Sequence, residues 1–161
     1  PEMEFLLPAH SVDTADIDAL CHQYLLPGHP RPRLQPTDLN GMLKGFIDLS
    51  FEHDGKYYVA DWKSNHLGRN DTAYHEAALT KAVLEHRYDV QYALYLLALH
   101  RLLRVRLPDY DYQQHVGGAV YFFLRGYQAD TQGVLMDRPP AVFIHALDQL
   151  FAGKPLTEGQ P

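Results

Sequence analysis

One cysteine, Cys21, stands among 161 residues. A disulfide framework is therefore excluded, the fold must rest on its core, and a reducing compartment fits. Cys21 itself reads as a small buried hydrophobe rather than a nucleophile. No uninterrupted apolar stretch approaches the roughly 18 residues of a membrane span, and the acidic start Pro1-Glu-Met-Glu4 is unlike a signal peptide. The expectation is a cytoplasmic protein with no membrane partner. A Gly-rich phosphate loop of the Walker type is missing, so ATP-driven work is not expected of this segment. Ten His residues occur without a Cys pair and without an HxxxH spacing, which argues against a zinc site and leaves exposed histidines as the expectation. Basic residues are also short. Fourteen Lys and Arg against twenty Asp and Glu leave a net charge of -6, whereas a protein that grips nucleic acid by itself usually carries a basic face.

What is present begins with a core. At 46% hydrophobic residues, the chain can bury a sizeable interior, and its length predicts one domain over 1–161. A start at Pro rather than Met reads as a fragment of a larger polypeptide, and the polar stretch 154–161, with its Pro and Gly, reads as a flexible tail.

The most informative local feature is a pair of short runs, Gly45-Phe-Ile-Asp-Leu-Ser-Phe51 and Tyr57-Tyr-Val-Ala-Asp-Trp-Lys-Ser-Asn65, joined by His53-Asp-Gly-Lys56. Both runs are rich in β-branched and aromatic residues, and Asp-Gly between such runs is a strong hairpin signal. With Asp54 and Gly55 as the loop, the register places Asp48 opposite Asp61. Cβ atoms of directly paired residues lie roughly 4.5 to 5.5 Å apart, close enough for two carboxylates to share one cation. Lys63 lies two residues beyond Asp61 and so projects from the same face. Tyr58, Ala60 and Trp62 on the opposite face are apolar enough to pack against a helix layer.

Two carboxylates, with a backbone carbonyl and waters, make the hard oxygen environment that Mg²⁺ prefers, and Mg²⁺ usually works on phosphates. A phosphodiester is the natural substrate, with Lys63 in an electrostatic role. A plain alternative stands beside this: an Asp and a Lys two apart on a half-exposed strand often form only a solvated pair worth a few tenths of a kcal/mol.

Along the chain, Phe5–Leu7 reads as a short strand and Ser11–Tyr24 as a helix with Asp13 or Thr14 as cap. Pro27 to Pro36 reads as an irregular connector. The hairpin spans about 43–64, and 65–71 is a loop after which Asp71 or Thr72 can cap a helix. No Gly or Pro interrupts from there to Pro108, and the changed pattern suggests helices over 72–85 and 87–105. Val116–Leu124 is too apolar for an edge strand and should be central. Pro139-Pro140 and Gly153 bracket a helix over Ala141–Phe151. Gln91 and Tyr95 share a face of the apolar helix four residues apart, so that both polar ends can reach one site; by themselves they read rather as a Gln bonded to a nearby backbone group and a core-filling Tyr. Arg101, Arg104, Arg106 and Arg125 read as a basic stripe, and a solvated helix face explains the first three equally well.

Gly41-Met-Leu-Lys-Gly45, Phe-Ile-Asp48, Val59-Ala-Asp-Trp-Lys-Ser-Asn65 and Gln91-Tyr-Ala-Leu-Tyr95, taken in order, resemble the PD-(D/E)XK nuclease pattern as it appears in RecB-type nucleases. The resemblance extends through His86-Arg-Tyr-Asp89 and Gly117-Gly-Ala-Val-Tyr-Phe-Phe-Leu-Arg-Gly126 and so covers nearly the whole chain. It implies an α/β fold with a restriction-endonuclease-like mixed central sheet flanked by helices. It also implies a Mg²⁺-dependent DNA nuclease acting in double-strand break repair and recombination. Asp48 and Asp61 would be metal ligands together with the Trp62 main-chain carbonyl, Lys63 the catalytic lysine, and Gln91 and Tyr95 the helix element that positions DNA or the catalytic core. Nucleases of this type take a further His ligand from a helix upstream of the segment that resembles Glu2–Pro8. The implied partners are DNA and RecC-like and RecD-like subunits, which would feed the strand to an acidic domain. A docking role toward a RecA-type recombinase is the alternative function.

Overall fold

The computed structural model describes residues 2–154 and 156. The expected tail, 154–161, lies outside them except for Lys154 and Leu156. Two sheets organise the chain. β1 (Met3–Asp13) and β2 (Asp38–Ile47) form an antiparallel ribbon with Met3 opposite Ile47 and Asp13 opposite Asp38. The second sheet has the order β3 (Leu49–His53), β4 (Lys56–Lys63), β5 (Val116–Phe123), β6 (Val134–Asp137). β4 and β5 run parallel and the other two pairings are antiparallel, so the sheet is mixed. With helices α1 (Thr14–Tyr24), α2 (Glu76–Glu85), α3 (Tyr88–Arg106), α4 (Tyr112–His115) and α5 (Ala141–Phe151), this is a mixed α/β architecture of restriction-endonuclease type.

Local chemistry accounts for several of these elements. Asp54 and Gly55 both have positive φ, 51° and 78°, as a two-residue type I′ turn requires, and His53 pairs with Lys56 as that turn dictates. Asp13 Oδ1 accepts from the Ala15 amide at 2.9 Å and caps α1. At the end of α5, Gly153 donates to the Leu150 carbonyl and Lys154 to that of Gln149, the paired bonds of a left-handed helix stop, with Gly153 at φ 86°.

Other elements depart from the sequence expectation. The first strand is eleven residues rather than three, because its partner is distant in sequence: residues 38–47 bond to β1 and take no part in the hairpin. The hairpin is thus shorter than 43–64, and Asp48 sits at the joint between the two sheets. α1 starts at Thr14, after β1 has consumed Ser11 to Asp13. The helix expected over 72–85 is a 3-10 turn, Asp71–Tyr74, followed by α2, whose cap is His75; its Nδ1 accepts from the Ala78 amide at 3.2 Å. β6 and α4 were not foreseen, since four residues carry too little periodicity to read.

The break between α2 and α3 falls at Arg87, in the left-handed region at φ 53°. Its guanidinium reaches Asp18 at 2.7 Å and Asp89 at 3.1 Å, and donates to the Pro32 carbonyl at 2.7 Å. Arg31 approaches the buried Asp89 carboxylate at 2.9 Å and also donates to the carbonyls of Cys21 and Leu26. These bonds tie the irregular connector to α1 and α3 and give a buried carboxylate two cationic partners.

Tyr92, Tyr121, Phe123, Phe143, Phe151 and Leu96 are among the fully buried residues of the core. α3 lies across the sheet face that carries Asp61 and Tyr121, not the face of Tyr58, Ala60 and Trp62, so the expected helix layer on the latter is corrected. There Tyr58 stacks on Phe51, Trp62 tilts against Phe122, and the indole remains 44% exposed. The expectation of exposed histidines fails at His100, which is buried in α3, its Nδ1 2.6 Å from the Tyr110 hydroxyl. Arg101 and Arg104 are not a free stripe, because both pair with Asp148 of α5, at 2.7 and 3.0 Å.

Candidate active site and metal centre

Asp61 and Lys63 project from the final turns of the pleat in β4, where parallel pairing with β5 sets Asp61 beside Tyr121 and Lys63 beside Phe123. The hairpin ladder ends at Leu49 opposite Ala60. One pair further on, Asp48 swings out of strand geometry, and its Oδ2 accepts from the Trp62 amide at 3.3 Å. The carboxylates of Asp48 and Asp61 meet. Burial, first, and hydrogen bonding to Asp48, second, push the Asp61 carboxyl up to about 6, against the opposing pull of Lys63. Lys63 Nζ lies 2.6 Å from Asp61 Oδ2, and both side chains are largely buried.

The wall opposite is α3. Tyr88, Gln91 and Tyr95, spaced i, i+3 and i+7, share its site-facing side. Gln91 Nε2 donates to the Tyr95 hydroxyl at 3.0 Å, and Gln91 Oε1 accepts from the Tyr121 hydroxyl at 2.8 Å. Burial pushes the Tyr95 hydroxyl up to about 12, with the Asp61 and Asp48 charges adding to it, so Tyr95 stays a neutral donor beside the acids. Gln91 is therefore satisfied by two tyrosine hydroxyls rather than by the backbone.

The six residues singled out in the sequence thus meet around one place: Asp61, Lys63 and the Trp62 main chain from β4, Asp48 from the joint before β3, and Gln91 and Tyr95 from α3. Four others were missed. Tyr88 carries its ring 3.9 Å from Lys63 Nζ, and Tyr121 lies at 5.6 Å. Asn65 bonds to the Tyr88 hydroxyl at 3.3 Å. Arg125 Nε donates to the Ser64 carbonyl at 2.8 Å, holding the chain just past Lys63 and leaving a cation at the rim. Tyr88 reads as core filling within an apolar helix, and the approach of Tyr121 and Arg125 depends on parallel pairing of β4 with β5, which no local pattern encodes.

A divalent cation fits the donor set. Two opposed carboxylates, one of them buried and reluctant to ionise, gain from a shared positive charge. Among the described residues no third His, Cys, Asp or Glu completes a cluster.

The family model of the PD-(D/E)XK nuclease superfamily matches residues 12–154. The RecB subunit of the RecBCD enzyme of Escherichia coli K12 is 47% identical over 160 residues, 98% of this chain and 14% of that protein. The RecB subunit of Haemophilus influenzae is 43% identical over 93% of this chain and 12% of its own length. That of Mycobacterium tuberculosis H37Rv is 41% identical over 65% of the chain and 10% of its own. The chain spans about one seventh or less of these relatives. No helix among the described residues is long and apolar enough to cross a membrane.

Proposed function

The chain belongs to the PD-(D/E)XK nuclease superfamily, and from that premise we propose that it is the nuclease region of a RecB-type subunit and hydrolyses DNA phosphodiester bonds with Mg²⁺. The observation that carries this reading is the opposed Asp48–Asp61 pair with Lys63 2.6 Å from Asp61. Asp48 and Asp61 would hold the ion. In a strand the N–H and C=O of one residue face the same edge, and the Trp62 N–H points at Asp48, so its carbonyl would be a further ligand from that edge of β4. The bound ion would supply Lewis-acid polarisation of the phosphoryl group.

The chain's own residues do the rest. Lys63 brings a fixed positive charge to where negative charge develops on the phosphate. Tyr95 and Gln91, locked to each other and to Tyr121, offer a rigid polar wall against which the scissile group is oriented. Burial of Asp61 under α3 limits water around the acids and strengthens each electrostatic contact.

The net charge of -6 implies little affinity for DNA in isolation. We place the grip on DNA elsewhere in a RecBCD-type assembly, with RecC-like and RecD-like subunits feeding the strand in the cytoplasm during break repair and recombination. The test is cleavage of linear single-stranded DNA by the purified chain with Mg²⁺, beside the same reaction in EDTA and an Asp61→Ala control. Mg²⁺-dependent cleavage lost in the variant is the expected result. Cleavage that survives EDTA or the substitution overturns the mechanism.

A further inference from the structure

Lys63 has two partners, and only one of them is a carboxylate. Its ammonium lies 2.6 Å from Asp61 Oδ2 and 3.9 Å from the centroid of the Tyr88 ring, with the Tyr121 ring at 5.6 Å. An ammonium over an aromatic face is attracted by the ring quadrupole, and more strongly where water is excluded, as it is around a side chain only 14% exposed. We propose that Tyr88 is a positioning residue for Lys63, its ring fixing the amine beside Asp61 in the geometry the chemical step needs. The inference rests on the nuclease reading for its consequence and on geometry alone for the contact.

A lysine is a point charge on a flexible four-carbon stem, and ordering that stem is costly. A single carboxylate fixes its distance but not its direction. The ring supplies the second constraint, and it is itself held from several sides. The Tyr88 hydroxyl meets the Asn65 side-chain amide at 3.3 Å. Its ring stacks with Tyr121 at 5.9 Å and 10°, and with His86 at 5.2 Å and 15°. The Tyr121 hydroxyl, whose proton goes to Gln91 Oε1, lies 3.3 Å from the Tyr88 carbonyl.

Asn65 is two residues beyond Lys63, so one hydrogen-bonded contact joins the chain after β4 to the first turn of α3. Tyr88 is the first residue of α3, and the left-handed Arg87, pinned by Asp18 and Asp89, sets where that turn begins. The buried ionic cluster under the connector is thereby coupled, through one residue of backbone, to the direction of the catalytic amine. A straight helix through residue 87 would carry the ring elsewhere.

The experiment is a lysine-labelled ¹H–¹³C spectrum of the full chain, with Lys63 assigned by Lys63→Met, joined to steady-state cleavage of single-stranded DNA by Tyr88→Phe and Tyr88→Leu. The Lys63 ε-methylene protons should resonate upfield of the other lysines, stay there in Tyr88→Phe and return to the ordinary position in Tyr88→Leu. In cleavage, Tyr88→Phe should keep kcat within about threefold, while Tyr88→Leu should lose about tenfold in kcat with KM little changed, the mark of a misplaced group rather than weakened DNA binding. An unshifted Lys63 signal in the unsubstituted chain overturns the proposal, even if Tyr88→Leu fails to fold. So does a full kcat in Tyr88→Leu. Failure of the unsubstituted chain to cleave would fall on the nuclease reading, and the spectrum would still decide the role of Tyr88.

Discussion

The Trp62 amide donates to the Asp48 carboxylate across 3.3 Å, one residue pair beyond the last rung of the hairpin ladder. This bond takes Asp48 out of the strand and turns it over the end of β4, toward Asp61. It converts a cross-strand position into a shared carboxylate site, and it leaves the metal-free protein with two acids where one charge is easier to hold than two.

Asp61→Ala and Lys63→Ala are expected to lower cleavage by on the order of 100-fold or more, since in the proposed mechanism each removes a group from the reacting centre. Far-ultraviolet circular dichroism should be unchanged. Full activity in either folded variant would remove the mechanism.

The Asp61 carboxyl is raised to about 6, above its ordinary value of about 4. The folded state therefore holds that proton more tightly than the unfolded chain, and the stability it contributes is present below pH ~4 and lost as pH rises through ~6. Asp48→Asn removes the like charge while keeping an acceptor for Trp62. In EDTA at pH 7.5 it should raise Tm by about 2–4 °C, the size of ~1 kcal/mol in a domain of this length, with the difference vanishing near pH 4. Equal melting curves at pH 7.5 would contradict the repulsion.

Burial pushes His100 down to about 4 from an ordinary value near 6.5. Asp148 opposes that shift, while Arg104, His145 and Arg101 reinforce it. The sign is opposite to that of Asp61: the contribution is full above pH ~6.5 and is lost as pH falls toward ~4. His100→Gln should flatten the dependence of Tm on pH across that window. A variant curve parallel to that of the unsubstituted protein would show that His100 is not the group responsible.

Arg31→Ala strips a buried cation from Asp89 and frees the carbonyls of Cys21 and Leu26. Loss of one partner of a buried pair costs about 3–5 kcal/mol, and urea unfolding should place this variant near that range. Because Arg87 remains on Asp89, the lower end is expected. A loss below ~1 kcal/mol, the level of an exposed pair, would show that the connector is not anchored there.

The residues of the site were legible to different degrees. Asp48, Asp61 and Lys63 could be placed together because the hairpin register follows from two loop residues, and both of those have the positive φ that the turn demands. Gln91 and Tyr95 were legible as neighbours on a helix but not as groups facing β4. Tyr88 was hidden within an apolar helix, where an aromatic residue reads as core filling.

What the sequence by itself determined is whatever depends on neighbours in the chain: the Asp54-Gly55 turn, a cap at Asp13 or Thr14, the Pro140-to-Gly153 bounds of α5, and the spacing of Asp48, Asp61 and Lys63 about the turn. Only the tertiary structure decided that 38–47 pairs with β1, that β5 joins β4 in parallel, and that α3 covers the Asp61 face. Those choices are made by hydrogen bonds and buried surface between segments tens of residues apart. Their free energy is collected only when the whole core closes, so no short window of sequence contains it.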